Sequence, residues 1–239
     1  MTCRMQVIML RCLHACKMEV TKENAVATRV LPHAAESQQS GPSRISSMVT
    51  ILLIAWFILV VSFGSVDAFV GPPRTPPFSI AIGVGAPLLL FFAWLRLSRS
   101  FRHFVLSLDL RLIAAMQAWR WAGMGFLFLY AYNILPAIFA LPAGIGDMTI
   151  GVTAPWIVLA LAREPTFAAS ARFISWNVLG IIDLVVALSI GTLIATQTTG
   201  APGEISTAPM AMLPLLLIPV FLVPFFLMLH ATALMQSRK

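Results

Sequence analysis

The sequence predicts an all-α, polytopic membrane helix bundle of about six transmembrane helices, with a short interfacial helix between the second and third spans. Three observations carry this. Hydrophobic residues make up 59% of the 239 positions and charged residues only 10%, too few polar groups to cover a water-soluble globule of this size. Six apolar runs approach or exceed the roughly 20 residues a helix needs to cross the bilayer core. The cysteines Cys3, Cys12 and Cys16 all precede those runs, so no disulfide framework holds the hydrophobic body together.

The chain divides near Met48. Residues 1–47 carry Arg4, Arg11, Lys17, Lys22, Arg29 and Arg44 and a polar Ser/Gln/Gly/Pro stretch, a composition that reads as a disordered cytoplasmic tail or as a misassigned translation start upstream of Met48. The short apolar run 7–10 is unlike a secretory signal, although a transit peptide stays open. Cys12, His14 and Cys16 form at best a weak metal-binding pattern.

Residues 48–239 read as the transmembrane domain. The first span covers 49–70 and the second 78–97, separated by the turn cluster Gly71, Pro72, Pro73, Pro76 and Pro77. The third begins between Leu112 and Ala118 and runs past Tyr132. The fourth is expected over 145–162, after breakers at Pro136, Pro142 and Gly144; the fifth over 173–196; and the sixth over 210–235. Pro209, Pro214, Pro219 and Pro224 predict kinks in the last of these, since each removes a backbone donor. Between spans two and three, Phe101, Phe104, Val105, Leu108 and Leu112 recur at helical spacing, with Arg99, Arg102, His103, Asp109 and Arg111 on other faces. That pattern predicts the interfacial helix.

Basic residues set the expected orientation. Arg96, Arg99, Arg102, Arg111, Arg163, Arg172, Arg238 and Lys239 flank one side of the spans, and only Arg74 flanks the other. The positive-inside rule then puts both termini in the cytoplasm, of a bacterial inner membrane on the chain's compactness. This accounts for the basic charge of the body and leaves no patch for nucleic acid. The expected surroundings are the lipid bilayer, with a homo-oligomer or a membrane-protein partner left open.

Ionisable groups within spans cost about 3 kcal/mol each at a helix centre, so they mark where function could lie. Asp183 and Arg120 fall at similar depth and are expected to pair, with Gln117 and Asn177 extending a buried polar network or proton or substrate site. Asn133, Asp147 and Thr149 are expected as a second, outer-face polar pocket, around backbone opened by the 136–146 breakers. Trp119 and Gly123 in span three match Trp176 and Gly180 in span five, a faint sign of a parallel repeat. His103 and His230 read as peripheral, so no haem site follows, and no cofactor or metal is indicated.

Two function classes remain. One is transport or sensing of a small solute or proton through the interior around Arg120 and Asp183. The other is a non-catalytic structural or accessory subunit whose polar groups are self-paired and whose small residues pack against partners. An enzyme is the weaker reading, because Asp147 and Asp183 at different depths make a poor acid/base pair.

Overall fold

The computed structural model describes residues 44–238. The readings of the tail before Arg44, including Cys12, His14 and Cys16, therefore lie outside the described residues.

Among the described residues all regular structure is helical, in a bundle. Six helices among the described residues are long and apolar enough to cross a bilayer: Arg44–Gly64, Phe78–Leu97, Leu110–Ala131, Ala137–Arg163, Ala171–Gln197 and Ile218–Gln236. Helices suit such runs because every backbone donor and acceptor is satisfied within the segment, where lipid offers no partner. The outer faces stay apolar: Ile51, Leu52, Leu89 and Leu90 are exposed, as contact with lipid tails requires.

The spans start and stop with identifiable local chemistry. On the basic side, the Ser98 hydroxyl accepts from the Phe101 amide at 3.2 Å, Asp109 from the Arg111 amide at 2.8 Å and Ser170 from the Phe173 amide at 3.2 Å, each an N-cap relieving an orphan donor. At the opposite ends of spans one and three, Asp67 and Asn133 adopt positive φ, 53° and 56°. The Ala68 amide then reaches the Phe63 carbonyl (3.1 Å), and the Ile134 amide the Leu129 carbonyl (2.8 Å). Both are Schellman stops, which tolerate Asn in the left-handed region.

Three spans depart from the sequence expectation. Residues 44–47 are helical and extend span one. Span four begins at Ala137 with Pro142 inside it: the 136–146 segment is not open backbone, because Pro136 stands at the N-cap, where a missing N–H costs no helical bond, and Pro142 removes only the one bond to the Ile138 carbonyl. Span six is shorter than expected. Residues 208–211 form a 3₁₀ turn, and the spanning helix starts with a π-helical turn, Ile218–Leu222, before Val223–Gln236. Closely spaced prolines break the usual ladder here, and the wider π turn absorbs the mismatch.

The short helix between spans two and three is Arg99–Leu106. Its apolar face rests on protein: Phe101 and Val105 are buried against Leu95, Phe91, Trp94 and Met235, with Phe101 stacked 3.8 Å from Trp94. Arg99 and Arg102 stay exposed. Gln236, at the end of span six, donates to the Val105 and Leu108 carbonyls (3.2 and 3.1 Å), which fastens this helix to the bundle.

Span three changes pitch at its centre. Leu110–Met116 is α-helical, Gln117–Gly123 is 3₁₀ and Met124–Ala131 is α-helical again. With three residues per 3₁₀ turn, positions three apart eclipse, so Gln117, Arg120 and Gly123 form one line, all buried. Trp119 and Trp121 point outward, 74% and 52% exposed. Span four lies directly on the buried line. A Cβ on Gly151 would come 2.7 Å from the Arg120 carbonyl carbon, so only glycine allows the two backbones to close around Arg120.

Candidate functional site

The pitch change delivers one cation into the middle of the bundle. The Arg120 side chain is fully buried, and the carboxylates of Asp147 and Asp183 are each only 16% exposed. Arg120 Nε donates to Asp147 Oδ1 at 2.7 Å, and Nη2 donates to Asp183 Oδ2. Nη1 donates to the Gly180 carbonyl at 3.3 Å and to His230 Nε2 at 3.1 Å. One guanidinium thereby joins spans three, four, five and six. Its planar fork of donors suits such branching better than a lysine ammonium would.

The histidine's state follows from its partners. A guanidinium has only donors, so His230 Nε2 must be the acceptor and the ring proton sits on Nδ1. That proton is donated to Asn177 Oδ1 at 2.9 Å, while Asn177 Nδ2 donates to the Phe173 carbonyl at 2.9 Å. The imidazole is neutral in this arrangement. Trp176 packs edge-on against it, ring centroids 5.6 Å apart, and donates its indole N–H to Thr153 Oγ1 at 2.9 Å. With both aspartates ionised, one arginine and a neutral histidine would leave the cluster one negative charge in surplus.

His230 is the residue the sequence reading missed. It is wholly buried, not peripheral, because it lies on the inward face of span six, against Arg120 and Asn177. Both ring nitrogens are occupied, so metal ligation there would break a bond to Arg120 or Asn177.

The other residues divide. Asn177 is in the network and Arg120 joins Asp183, but Gln117 is buried with neither amide atom hydrogen-bonded. The expected outer-face grouping of Asn133, Asp147 and Thr149 does not form. Asn133 is an exposed helix stop, and Thr149 is exposed and bonds the Ile145 carbonyl of its own helix at 2.7 Å. Asp147 belongs with Arg120, because span four begins eight residues earlier than expected and sets Asp147 near mid-helix.

Asp147 also lines a cavity of about 360 Å³. Its lining runs from the loops at 70–77 and 198–208, which form its mouth at the span ends opposite the basic loops, inward to residues of spans two to six. Phe69, Phe126, Phe139, Leu188 and Ile218 make its walls largely apolar, with Thr192, Thr198, Ser206 and Thr207 nearer the mouth. The two mouth loops are tied together, the Arg74 amide donating to the Thr198 carbonyl at 3.0 Å.

The segment holding every member of this cluster is also the segment matched by a known family profile, a domain of unknown function, DUF8737, over residues 77–238. The chain belongs to the DUF8737 family. The DUF8737 region takes in spans two to six and all of Arg120, Asp147, Asn177, Asp183 and His230; span one lies before it. No curated protein and no solved structure matches the chain.

Proposed function

We propose that this protein is a membrane-embedded carrier or sensor of a small solute, with the cavity as its binding site and the Arg120 cluster as the element that responds to occupancy. One observation carries the reading: Asp147 is at once part of the cavity wall and a direct ion-pair partner of Arg120. A solute engaging Asp147 competes with Arg120 for that carboxylate and so changes the contacts of four spans together. Small-molecule sites are concave and mostly apolar with a few convergent polar groups, as here. On the positive-inside rule the cavity faces away from the cytoplasm and both termini lie within it, in a bacterial inner membrane.

Native mass spectrometry of the full chain in mild detergent tests this. The expected result is a small-molecule adduct that disappears when the cavity is filled by Leu188→Trp, with the helical content of the variant intact. A clean protein mass in both, with another chain co-purifying, would favour the accessory-subunit reading. The extensive self-pairing of the cluster is the observation on that side, since polar groups between membrane helices also serve as packing contacts.

A further inference from the structure

We infer that the cavity selects a small organic cation, an ammonium group carried on a compact apolar or aromatic body; this rests on the reading of the cavity as a solute site. The inference comes from charge and shape together. Among the described residues the cavity's lining holds two ionisable side chains, Asp147 and Glu204, both acidic, and no Lys, Arg or His. They sit at opposite ends, Asp147 at the inner end and Glu204 in the mouth loop.

Glu204 is built to stay ionised. It accepts from the amides of Thr199 (2.8 Å), Gly200 (2.7 Å) and Ala201 (3.2 Å) and from Thr199 Oγ1 (2.7 Å), an arrangement that favours the carboxylate over the acid. A fixed negative charge at the rim of a low-dielectric funnel raises the local concentration of cations and repels anions.

At the inner end, Arg120 divides its single positive charge between two aspartates. Arg120 takes Asp147 through Oδ1, and no bond to Oδ2 is made among the described residues. A cation beside Asp147 would balance the surplus negative charge without displacing Arg120 from Asp183. Between the ends, Phe69, Phe126 and Phe139 present rings of the kind that bind ammonium groups through their negative faces and accommodate an apolar body. A hydrated metal ion would gain little from such walls, and an anion would meet carboxylates at both ends.

The test is isothermal titration calorimetry on the full chain in a non-ionic detergent, with three probes of similar size: benzyltrimethylammonium, benzyl alcohol and 4-methylbenzenesulfonate. Saturable binding of the ammonium is expected, with the alcohol and the sulfonate at least about tenfold weaker, the discrimination one desolvated charge contact provides. Asp147→Asn should weaken the ammonium by about tenfold or more, and Glu204→Gln, which lies outside the Arg120 cluster and keeps one side-chain oxygen to accept from the Thr199–Ala201 amides, by a few-fold with its salt dependence reduced. Binding of the alcohol or sulfonate as tightly as the ammonium would overturn the cation assignment and leave a solute site standing. Failure of all three probes, with Leu188→Trp behaving like the parent chain, would overturn both.

Discussion

Arg120 Nη1 lies 3.1 Å from His230 Nε2, and because a guanidinium can only donate, this contact fixes the imidazole as the neutral tautomer protonated at Nδ1. Nitrogen-15 NMR of His-labelled protein near neutral pH should report a protonated Nδ1 and a bare Nε2 for His230. An imidazolium, or the opposite tautomer, would contradict the network as drawn.

The Arg120 contacts should govern stability. Arg120→Leu strands two buried carboxylates, and removing one member of a buried ion pair typically costs about 3–5 kcal/mol. Adding Asp183→Asn to that variant should recover part of the loss. Thermal unfolding in detergent reads both effects, and an unchanged midpoint in Arg120→Leu would mean the pairs are not held.

Close packing makes specific glycines irreplaceable. A Cβ on Gly146 would overlap the Asp183 carboxylate, and one on Gly180 would overlap the His230 ring, whereas one on Gly125 meets nothing within 4 Å. Gly146→Ala and Gly180→Ala should therefore lower the unfolding midpoint by displacing those groups. Gly125→Ala should leave it level or raise it, alanine being favoured over glycine in a helix by up to about 1 kcal/mol.

Gln117 is buried with an unsatisfied amide, a state that costs about 1–3 kcal/mol. Replacing it by methionine, of similar length and without the polar group, should stabilise the bundle. A loss of stability in Gln117→Met would instead reveal a hydrogen bond made through water.

The mouth loop should respond to acid. Hydrogen bonds from the Thr199 amide and hydroxyl and from the Gly200 and Ala201 amides hold the Glu204 carboxyl below its ordinary value of 4.5. A group whose folded pKa is depressed stabilises the folded loop above its unfolded pKa, and that contribution is lost as pH falls through the folded value. Amide resonances of Thr199, Gly200 and Ala201 should hold steady from neutral pH downward and then shift together with a midpoint below 4.5. A midpoint at or above 4.5 would mean the carboxylate is not capping the loop.

Much of the architecture was legible because hydropathy over a helix length is a strong signal: Phe78–Leu97 in the structure has the bounds read from sequence. Depth within a span was harder. Reading Pro136, Pro142 and Gly144 as breakers pushed the start of span four past its true origin at Ala137 and put Asp147 near the surface. In an apolar run the pressure to satisfy backbone groups overrides local helix-breaking residues. His230 reads as peripheral from its place near the C-terminal end of span six, but distance from a span end says nothing of which face turns inward toward Arg120 and Asn177. The 3₁₀ stretch at 117–123 has no clear sequence signature; what could have pointed to it is the three-residue spacing of Gln117, Arg120 and Gly123 between outward tryptophans. Asn133 reads as a site residue from its polarity, whereas its small polar side chain suits a left-handed helix stop.

The central claim is that a cavity reaches from the far side of the membrane to the Arg120 cluster. Single cysteines placed at Ala195, Ala187 and Val186, in a chain with Cys3, Cys12 and Cys16 changed to serine, test it in oriented vesicles. The reagent is a membrane-impermeant trimethylammonium methanethiosulfonate added from the side opposite the basic loops. Ala195 and Ala187 line the cavity, and Val186 does not; the two lining positions lie about 12 Å apart along the helix. The account predicts rapid modification at Ala195→Cys, slower but complete modification at Ala187→Cys, and little at Val186→Cys. Protection of Ala187→Cys alongside Val186→Cys would mean that no open path leads inward and would contradict the claim.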